Sequence, residues 1–250
     1  MTIITGKTGR LTSEQMGQSM PVDAPLYQQL PFYYKDAMSM TITYETDRNA
    51  VLNILPDCLE LDDGPAMAQF SIIDYPWTTF GEYQEAFLRV NCLWQGQPKF
   101  YAPYMVLTTE SPMAAGREIW GIPKKLAKVE IRQEQELYIG TVERPSDSRL
   151  ATLLLRPERR EDLPDGGINC LYLRVIPSPE EGAPPSLCEL IEITGVERQL
   201  KELWSGTGSL SFDTMSQIDP WYRLEVRNIV SAVYSVADFT LGHGSIVKRY

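Results

Sequence analysis

The sequence predicts a β-rich α+β fold, a single domain with an antiparallel, barrel-like core, on three observations. Short segments of alternating apolar and polar residues recur along the chain, Pro- and Gly-rich turns separate them, and few stretches carry a helical period.

Residues 1–30 mix Gly, Ser, Gln and Pro without periodicity. They read as an irregular arm that frays or wraps a neighbouring subunit, with residues 31–250 forming the domain. Residues 38–44 alternate Met, Thr, Ile and Tyr as a strand does. Asp47 can then cap a short helix through Ala50, Val51 and Ile54 that Pro56 ends. Further strands are expected at 66–73, 85–93, 101–108, 127–132 and 137–142, then at 151–155, 171–176, 187–193 and 195–203. Segments 145–147, 161–167 and 178–185 read as surface loops. The basic run from Arg156 to Arg160, broken by Pro157 and Glu158, reads as a solvated turn. No internal repeat is visible.

A chain of 250 residues can bury a substantial core, and its composition, 43% hydrophobic and 22% charged, is that of a globular protein. A formal charge of −10 opposes a nucleic-acid partner, which normally requires a dense Lys/Arg face. No apolar run is long enough for a bilayer, and no apolar core follows Lys7 and Arg10 as in a signal peptide, so no membrane association and a cytoplasmic location are expected. Cys58, Cys92, Cys170 and Cys188 are widely spaced in apolar surroundings and read as buried thiols, not disulfides or a metal site.

Most catalytic inventories fail for want of material. The sole histidine, His243, sits between Gly242 and Gly244 and reads as a loop residue, which leaves little for histidine metal sites or Ser-His-Asp hydrolysis. Gly206-Thr207-Gly208 is too short for a phosphate loop and lacks its lysine. Lysine and carboxylate chemistry remain, in the segment Gly116-Arg117-Glu118-Ile119-Trp120-Gly121-Ile122-Pro123-Lys124-Lys125-Leu126. A lysine attacks only as the neutral amine, so an ammonium with a pKa near 10.4 must be depressed by burial, by a nearby cation, or by both. In an extended segment Lys124 shares a face with Trp120, Ile122 and Leu126, and Lys125 shares the other with Gly121 and Pro123. Lys124 therefore has the apolar company. A Lys-Lys pair after a proline is also the composition of a solvated turn.

Gly116-Arg117-Glu118 followed by Pro123-Lys124-Lys125-Leu126 resembles the signature of the acetoacetate decarboxylase family. Tyr44-Glu45-Thr46-Asp47 with the Pro56 turn, Tyr83-Gln84-Glu85, Ile176-Pro177 with Leu187-Cys188-Glu189-Leu190-Ile191, and Trp204-Ser205-Gly206-Thr207-Gly208 resemble family segments in the same order. Acetoacetate decarboxylase is itself a known instance of a lysine activated by desolvation or by a neighbouring cation.

The resemblance implies a β-rich, cone-like barrel with an internal pocket, oligomeric assembly into a homo-oligomer, and no cofactor or metal. It places the Schiff-base lysine on Lys124, its companion on Lys125 and a pocket glutamate on Glu85; an exposed strand carboxylate is the alternative reading of Glu85. Two departures bear on substrate. A second family glutamate falls on Ser71, and the family arginine near the start of the barrel has no arginine counterpart, Lys35 being the nearest cation.

The resemblance thus implies a carbon-carbon lyase acting on a small keto acid through a lysine iminium. Two outcomes stay open: decarboxylation of a β-keto acid, and condensation of pyruvate with an aldehyde followed by dehydration, as in an aldolase-dehydratase. A non-catalytic barrel that binds a small ligand is the alternative from another class. Trp120, on the Lys124 face, and Met105 read either as pocket walls or as plain core, and Tyr83 is a further pocket residue. Tyr250, the last residue, reads either as a frayed end or as a phenol returning to the pocket mouth.

Overall fold

In the computed structural model, which describes residues 8–145, 147–163, 169–193 and 197–250, the alternation of side chains becomes the two faces of one strongly curled sheet. Its strands are β1 (Phe32–Glu45), β2 (Met67–Tyr75), β3 (Trp77–Thr78), β4 (Tyr83–Trp94), β5 (Gln97–Leu107), β6 (Lys124–Leu126) and β7 (Lys128–Glu134) in the first half. The second half supplies β8 (Leu137–Glu143), β9 (Arg149–Arg160), β10 (Cys170–Ile176), β11 (Leu187–Ile193), β12 (Glu197–Phe212), β13 (Asn228–Leu241) and β14 (Ser245–Arg249). Among the described residues helix is confined to α1 (Arg48–Leu52), α2 (Glu110–Ala115), a π-helical turn at Gly116–Trp120 and two single 3-10 turns. The 14-stranded sheet runs in the order β14-β11-β10-β5-β4-β2-β1-β13-β12-β9-β8-β7, with β3 added to β1 and β6 to β5. Neighbours are antiparallel except where β5 meets β10 and β6.

The fold is β-rich α+β, but the expected barrel does not form: the sheet is not closed. β14 pairs with β11 and β7 with β8, and among the described residues no ladder joins these two ends. Alternation along a strand reports which side chains face inward. Closure depends instead on whether the last strand reaches the first, a long-range pairing that periodicity does not encode.

The even positions of the central strands point into the core. Met40, Ile42 and Tyr44 of β1, Ala68, Phe70 and Ile72 of β2, and Ala86, Leu88 and Val90 of β4 are buried together with Val129, Val142, Leu153 and Leu155 of the folded-over strands β7 to β9. The layers meet so closely that a Cβ on Gly140 of β8 would lie 2.6 Å from Ile72 Cδ1. Each large apolar side chain so buried contributes about 1.5–3 kcal/mol, and a one-residue slip of β4 would exchange Leu88 and Val90 for Phe87 and Arg89 in the core. The odd positions, Ser39, Thr41, Gln69, Ser71, Glu85, Phe87 and Arg89 among them, thereby face a cavity on the concave side.

Several local expectations are met and others corrected. The Asp47 side chain caps α1 by accepting from the Ala50 N–H at 2.8 Å. The Arg156–Arg160 run is not a turn but the end of β9, paired with β12 from Trp204 to Thr207. Pro157 is tolerated there because a bulge relaxes the ladder, and Gly206 permits the close approach: a Cβ on it would lie 1.9 Å from the Arg156 carbonyl oxygen. Parts of the expected loops 145–147 and 161–167, and the start of the expected strand 195–203, lie outside the described residues. β13, β14 and the helical segment 110–120 were not anticipated. Among the described residues no helix is long and apolar enough to cross a membrane.

Candidate active site

A tight local construction carries Lys124 into the cavity. α2 runs into the π turn, and Gly121 follows with φ 73°, the left-handed region that glycine enters without penalty; a Cβ there would also lie 2.3 Å from Arg174 Cα. The Ile122 N–H closes the turn by donating to the Gly116 carbonyl at 3.0 Å, and β6 then pairs in parallel with β5, setting Lys124 opposite Met105. Arg117 Nη1 donates to the Lys124 carbonyl at 3.1 Å. Glu118 accepts from the Tyr27 hydroxyl at 2.6 Å, tying the N-terminal arm to the same turn. Gly116 leaves room for the lysine stem, since a Cβ on it would lie 2.7 Å from Lys124 Cδ.

Lys124 Nζ lies 2.8 Å from Glu85 Oε2, and both side chains are buried. Glu85 Oε1 accepts from the Tyr75 hydroxyl at 3.3 Å, whereas Oε2 has no aligned hydrogen bond. That oxygen is the acceptor beside the amine that is still free to exchange a proton. Aromatic rings enclose the pair: Tyr75 and Tyr83 are 4.6 Å apart, Tyr34 stacks on Phe239 at 4.2 Å, and Tyr83 donates to the Tyr34 hydroxyl at 3.4 Å. Burial, reinforced by the charge of Glu85, pushes the phenols of Tyr34, Tyr75 and Tyr83 up, so they stand as neutral donors.

The cavity holds about 450 Å³. Tyr34, Tyr75, Tyr83, Met105 and Ile122 line it at the lysine end; Ser39, Thr41, Gln69 and Ser71 form a hydroxyl- and amide-bearing wall; Arg89 and Arg198 are its remaining charged groups.

Residues 19–250 match the family model described as acetoacetate decarboxylase. The chain belongs to the acetoacetate decarboxylase family. Acetoacetate decarboxylase 3 of Mesorhizobium japonicum is 33% identical over 238 residues, covering 93% of this chain and 91% of that protein. The crystal structure of acetoacetate decarboxylase from Legionella pneumophila superposes with a TM-score of 0.86 at 27% identity, over 99% of both chains. MppR, an enduracididine biosynthesis enzyme solved with pyruvate, superposes with a TM-score of 0.79 at 18% identity, over 94% of this chain and 99% of that one, a likeness of fold.

Of the residues singled out by sequence and by their resemblance to the acetoacetate decarboxylase family, Lys124, Glu85, Tyr83, Met105 and Ser71 meet around this one cavity. Ser71 is buried with its hydroxyl 2.8 Å from Thr41 Oγ1. Three others do not. Lys125 projects from the opposite face of β6 to Asp219 at 2.8 Å and to the Ile218 carbonyl at 2.6 Å; Arg144 holds the same aspartate at 2.9 Å. Trp120 is buried but lies off the cavity, its ring edge-on to Phe32 at 5.9 Å. The extended geometry that would have aligned it with Lys124 begins only at β6, and the π turn rotates it away. Tyr250 is exposed and away from the pocket, its hydroxyl 3.2 Å from Cys58 Sγ, because the terminus follows β14 along the outer edge strand.

The cations also differ from expectation. Lys35 is not in the cavity; it is mostly exposed and paired with Asp238 at 2.7 Å. Arg89 and Arg198 were missed. For Arg89 the signal was present, since Glu85, Phe87 and Arg89 follow the period-two rule along one strand and must share a face. Arg198 arrives from β12, which only the folded sheet brings to the cavity.

Proposed function

We propose that this protein is a lyase that forms a Schiff base between Lys124 and a small β-keto acid and releases carbon dioxide. The observation that carries the reading is the Lys124 amine 2.8 Å from the Glu85 carboxylate in an aromatic-walled cavity. The sequence likeness to relatives named acetoacetate decarboxylase supports it. The amine adds to the ketone, water leaves, and the protonated imine becomes an electron sink. The bond to the carboxylate breaks, its electron pair enters the enamine, and carbon dioxide departs. The α-carbon takes the proton that Glu85 accepted from the lysine ammonium at the outset, and water hydrolyses the imine to free the ketone and the lysine.

Decarboxylation is favoured over pyruvate condensation by where the cations stand. Pyruvate keeps its carboxylate, one bond from the reacting carbon, and would need a cation beside the imine throughout. Arg89 instead branches from β4 four residues beyond Glu85, about 13 Å along the strand at 3.2–3.4 Å per residue. A carboxylate placed among aromatic rings is destabilised as an anion, which favours its loss as a neutral molecule. The counter-reading is drawn from MppR, which was solved with pyruvate.

Borohydride reduction in the presence of acetoacetate, read by intact mass, is expected to add one substrate-derived group, lost in Lys124→Ala, with carbon dioxide released in parallel turnover. No adduct, or an adduct that persists in that variant, would overturn the lysine assignment. A conjugated product from pyruvate and an aromatic aldehyde without carbon dioxide release would select condensation. Tight binding without product would make the cavity a binding site alone.

A further inference from the structure

Arg89 is held from two sides. Its Nε donates to Gln69 Oε1 at 2.6 Å, because Gln69 and Arg89 face each other across the β2–β4 ladder. The guanidinium lies over Phe100, Cζ at 4.2 Å from the ring centroid, with Phe87 at 5.9 Å. Among the described residues no carboxylate comes within ion-pair distance of Arg89 or of Arg198, and the Nη nitrogens of Arg89 have no protein acceptor. Burial pushes the pKa of Arg89 down, and Arg198, at the same end of the cavity, adds repulsion; a guanidinium nevertheless keeps its proton. A half-buried, fixed and uncompensated cation raises the energy of the empty protein, and an anionic ligand relieves that cost.

The leaving carboxylate is a poor candidate for that anion. Two hydrogen bonds from a guanidinium stabilise a carboxylate as an anion and oppose its departure as neutral carbon dioxide. Distance argues the same way. With the ketone at Lys124 beside Glu85 and Arg89 four residues, about 13 Å, along β4, an extended chain of roughly ten bonds spans the two points. The intervening wall of Ser71, Thr41 and Gln69 suits a polar chain, and a four-carbon keto acid would leave much of the 450 Å³ unfilled. Two free Nη donors match the two oxygens of one carboxylate.

Resting on the Lys124 reading, we propose that the substrate is a linear 3-oxo dicarboxylic acid, whose distal carboxylate is held by Arg89 while the carboxylate next to the ketone is lost. The balance is that of the parent reaction: one dicarboxylate and a proton yield carbon dioxide and a methyl-keto monocarboxylate, with the distal group unchanged.

The test compares kcat/KM for acetoacetate with that for 3-oxo dicarboxylates of roughly eleven to thirteen carbons. The dicarboxylate is expected to be preferred roughly ten- to a hundredfold, and Arg89→Gln should bring that ratio toward unity by loss in the dicarboxylate arm. A second measurement needs no variant. Saturated linear dicarboxylates should compete against borohydride trapping at concentrations roughly tenfold or more below those of monocarboxylates of equal length. Equal kcat/KM for both substrates in the unaltered protein, or a preference that survives Arg89→Gln, or equal inhibition by both acids, would overturn the proposal while leaving Lys124 in place. Absence of any adduct with either substrate removes the Lys124 reading and this one with it.

Discussion

Replacing Gly116 by alanine tests whether the lysine is held as tightly as its surroundings indicate. Gly116 has φ −60° and ψ −46°, an ordinary right-handed helical conformation, so alanine meets no backbone penalty there and by helix propensity alone stabilises by up to about 1 kcal/mol. The obstacle is spatial. The new Cβ would lie 2.7 Å from Lys124 Cδ and 3.0 Å from Cε, against a favourable carbon–carbon separation of about 3.5 Å, so the stem must move by roughly 3.5 − 2.7 = 0.8 Å. Displacement of a reacting group by about 1 Å costs on the order of a hundredfold in rate, about 2.7 kcal/mol in activation free energy. Gly116→Ala should therefore fold, with a melting temperature near that of the parent chain, yet form the borohydride-trapped adduct and release carbon dioxide on the order of a hundredfold more slowly. Unchanged trapping and turnover together with a raised melting temperature would refute the reasoning, because the stem would then have moved at no cost.

Glu85→Gln removes the acceptor beside the amine while keeping its shape; turnover should fall by about 10²–10⁴-fold, whereas the adduct should still be trapped, and a variant with undiminished turnover would exclude Glu85 as the proton donor. Lys125→Met takes one of two cations from the buried Asp219, leaving Arg144, so urea unfolding should show a loss of about 1–3 kcal/mol; complete loss of adduct at neutral pH with recovery at high pH would show instead that its charge activates Lys124. Asp238 contributes to acid lability. Burial alone would raise its pKa, but hydrogen bonds from Lys201, Lys35 and the Asp36 N–H outweigh it and hold the carboxyl well below the usual range. A carboxyl depressed in the folded state contributes stability that is present above the unfolded pKa near 4 and is lost as pH falls through the folded value. Asp238→Asn should thus destabilise the protein at neutral pH, with a deficit that shrinks as pH falls below about 4 and closes only below the depressed folded value; a deficit that stays constant as the pH is lowered would contradict the linkage.

The strands of the first half were legible because β1, β2 and β4 alternate cleanly between core and cavity, and alternation is a local property. The Gly-Arg-Glu and Pro-Lys-Lys segments were legible as a resemblance, but their physical roles were not: Gly116 makes space for a stem, Arg117 pins a carbonyl and Glu118 anchors Tyr27. Ile122 lines the cavity with Lys124, as sharing a strand face requires, but Trp120 does not, because the backbone there makes a π turn and is not extended. Lys125 is adjacent in sequence yet faces Asp219, a residue that a separate segment delivers.

By itself, then, the sequence determined a β-rich chain, a lysine with apolar company at 124 and membership of a lysine-dependent family, because periodicity and short motifs are written in neighbouring residues. The open edge of the sheet, the 2.8 Å approach of Glu85 to Lys124 and the arrival of Arg198 beside Arg89 were decided only by the tertiary structure. Each depends on strand pairings between distant segments, and the free energy that selects those pairings comes from burying the even faces of β1, β2 and β4 against β7 to β9. The cavity, with two arginines that have no carboxylate partner among the described residues, is what remains on the other face once that burial has chosen the register.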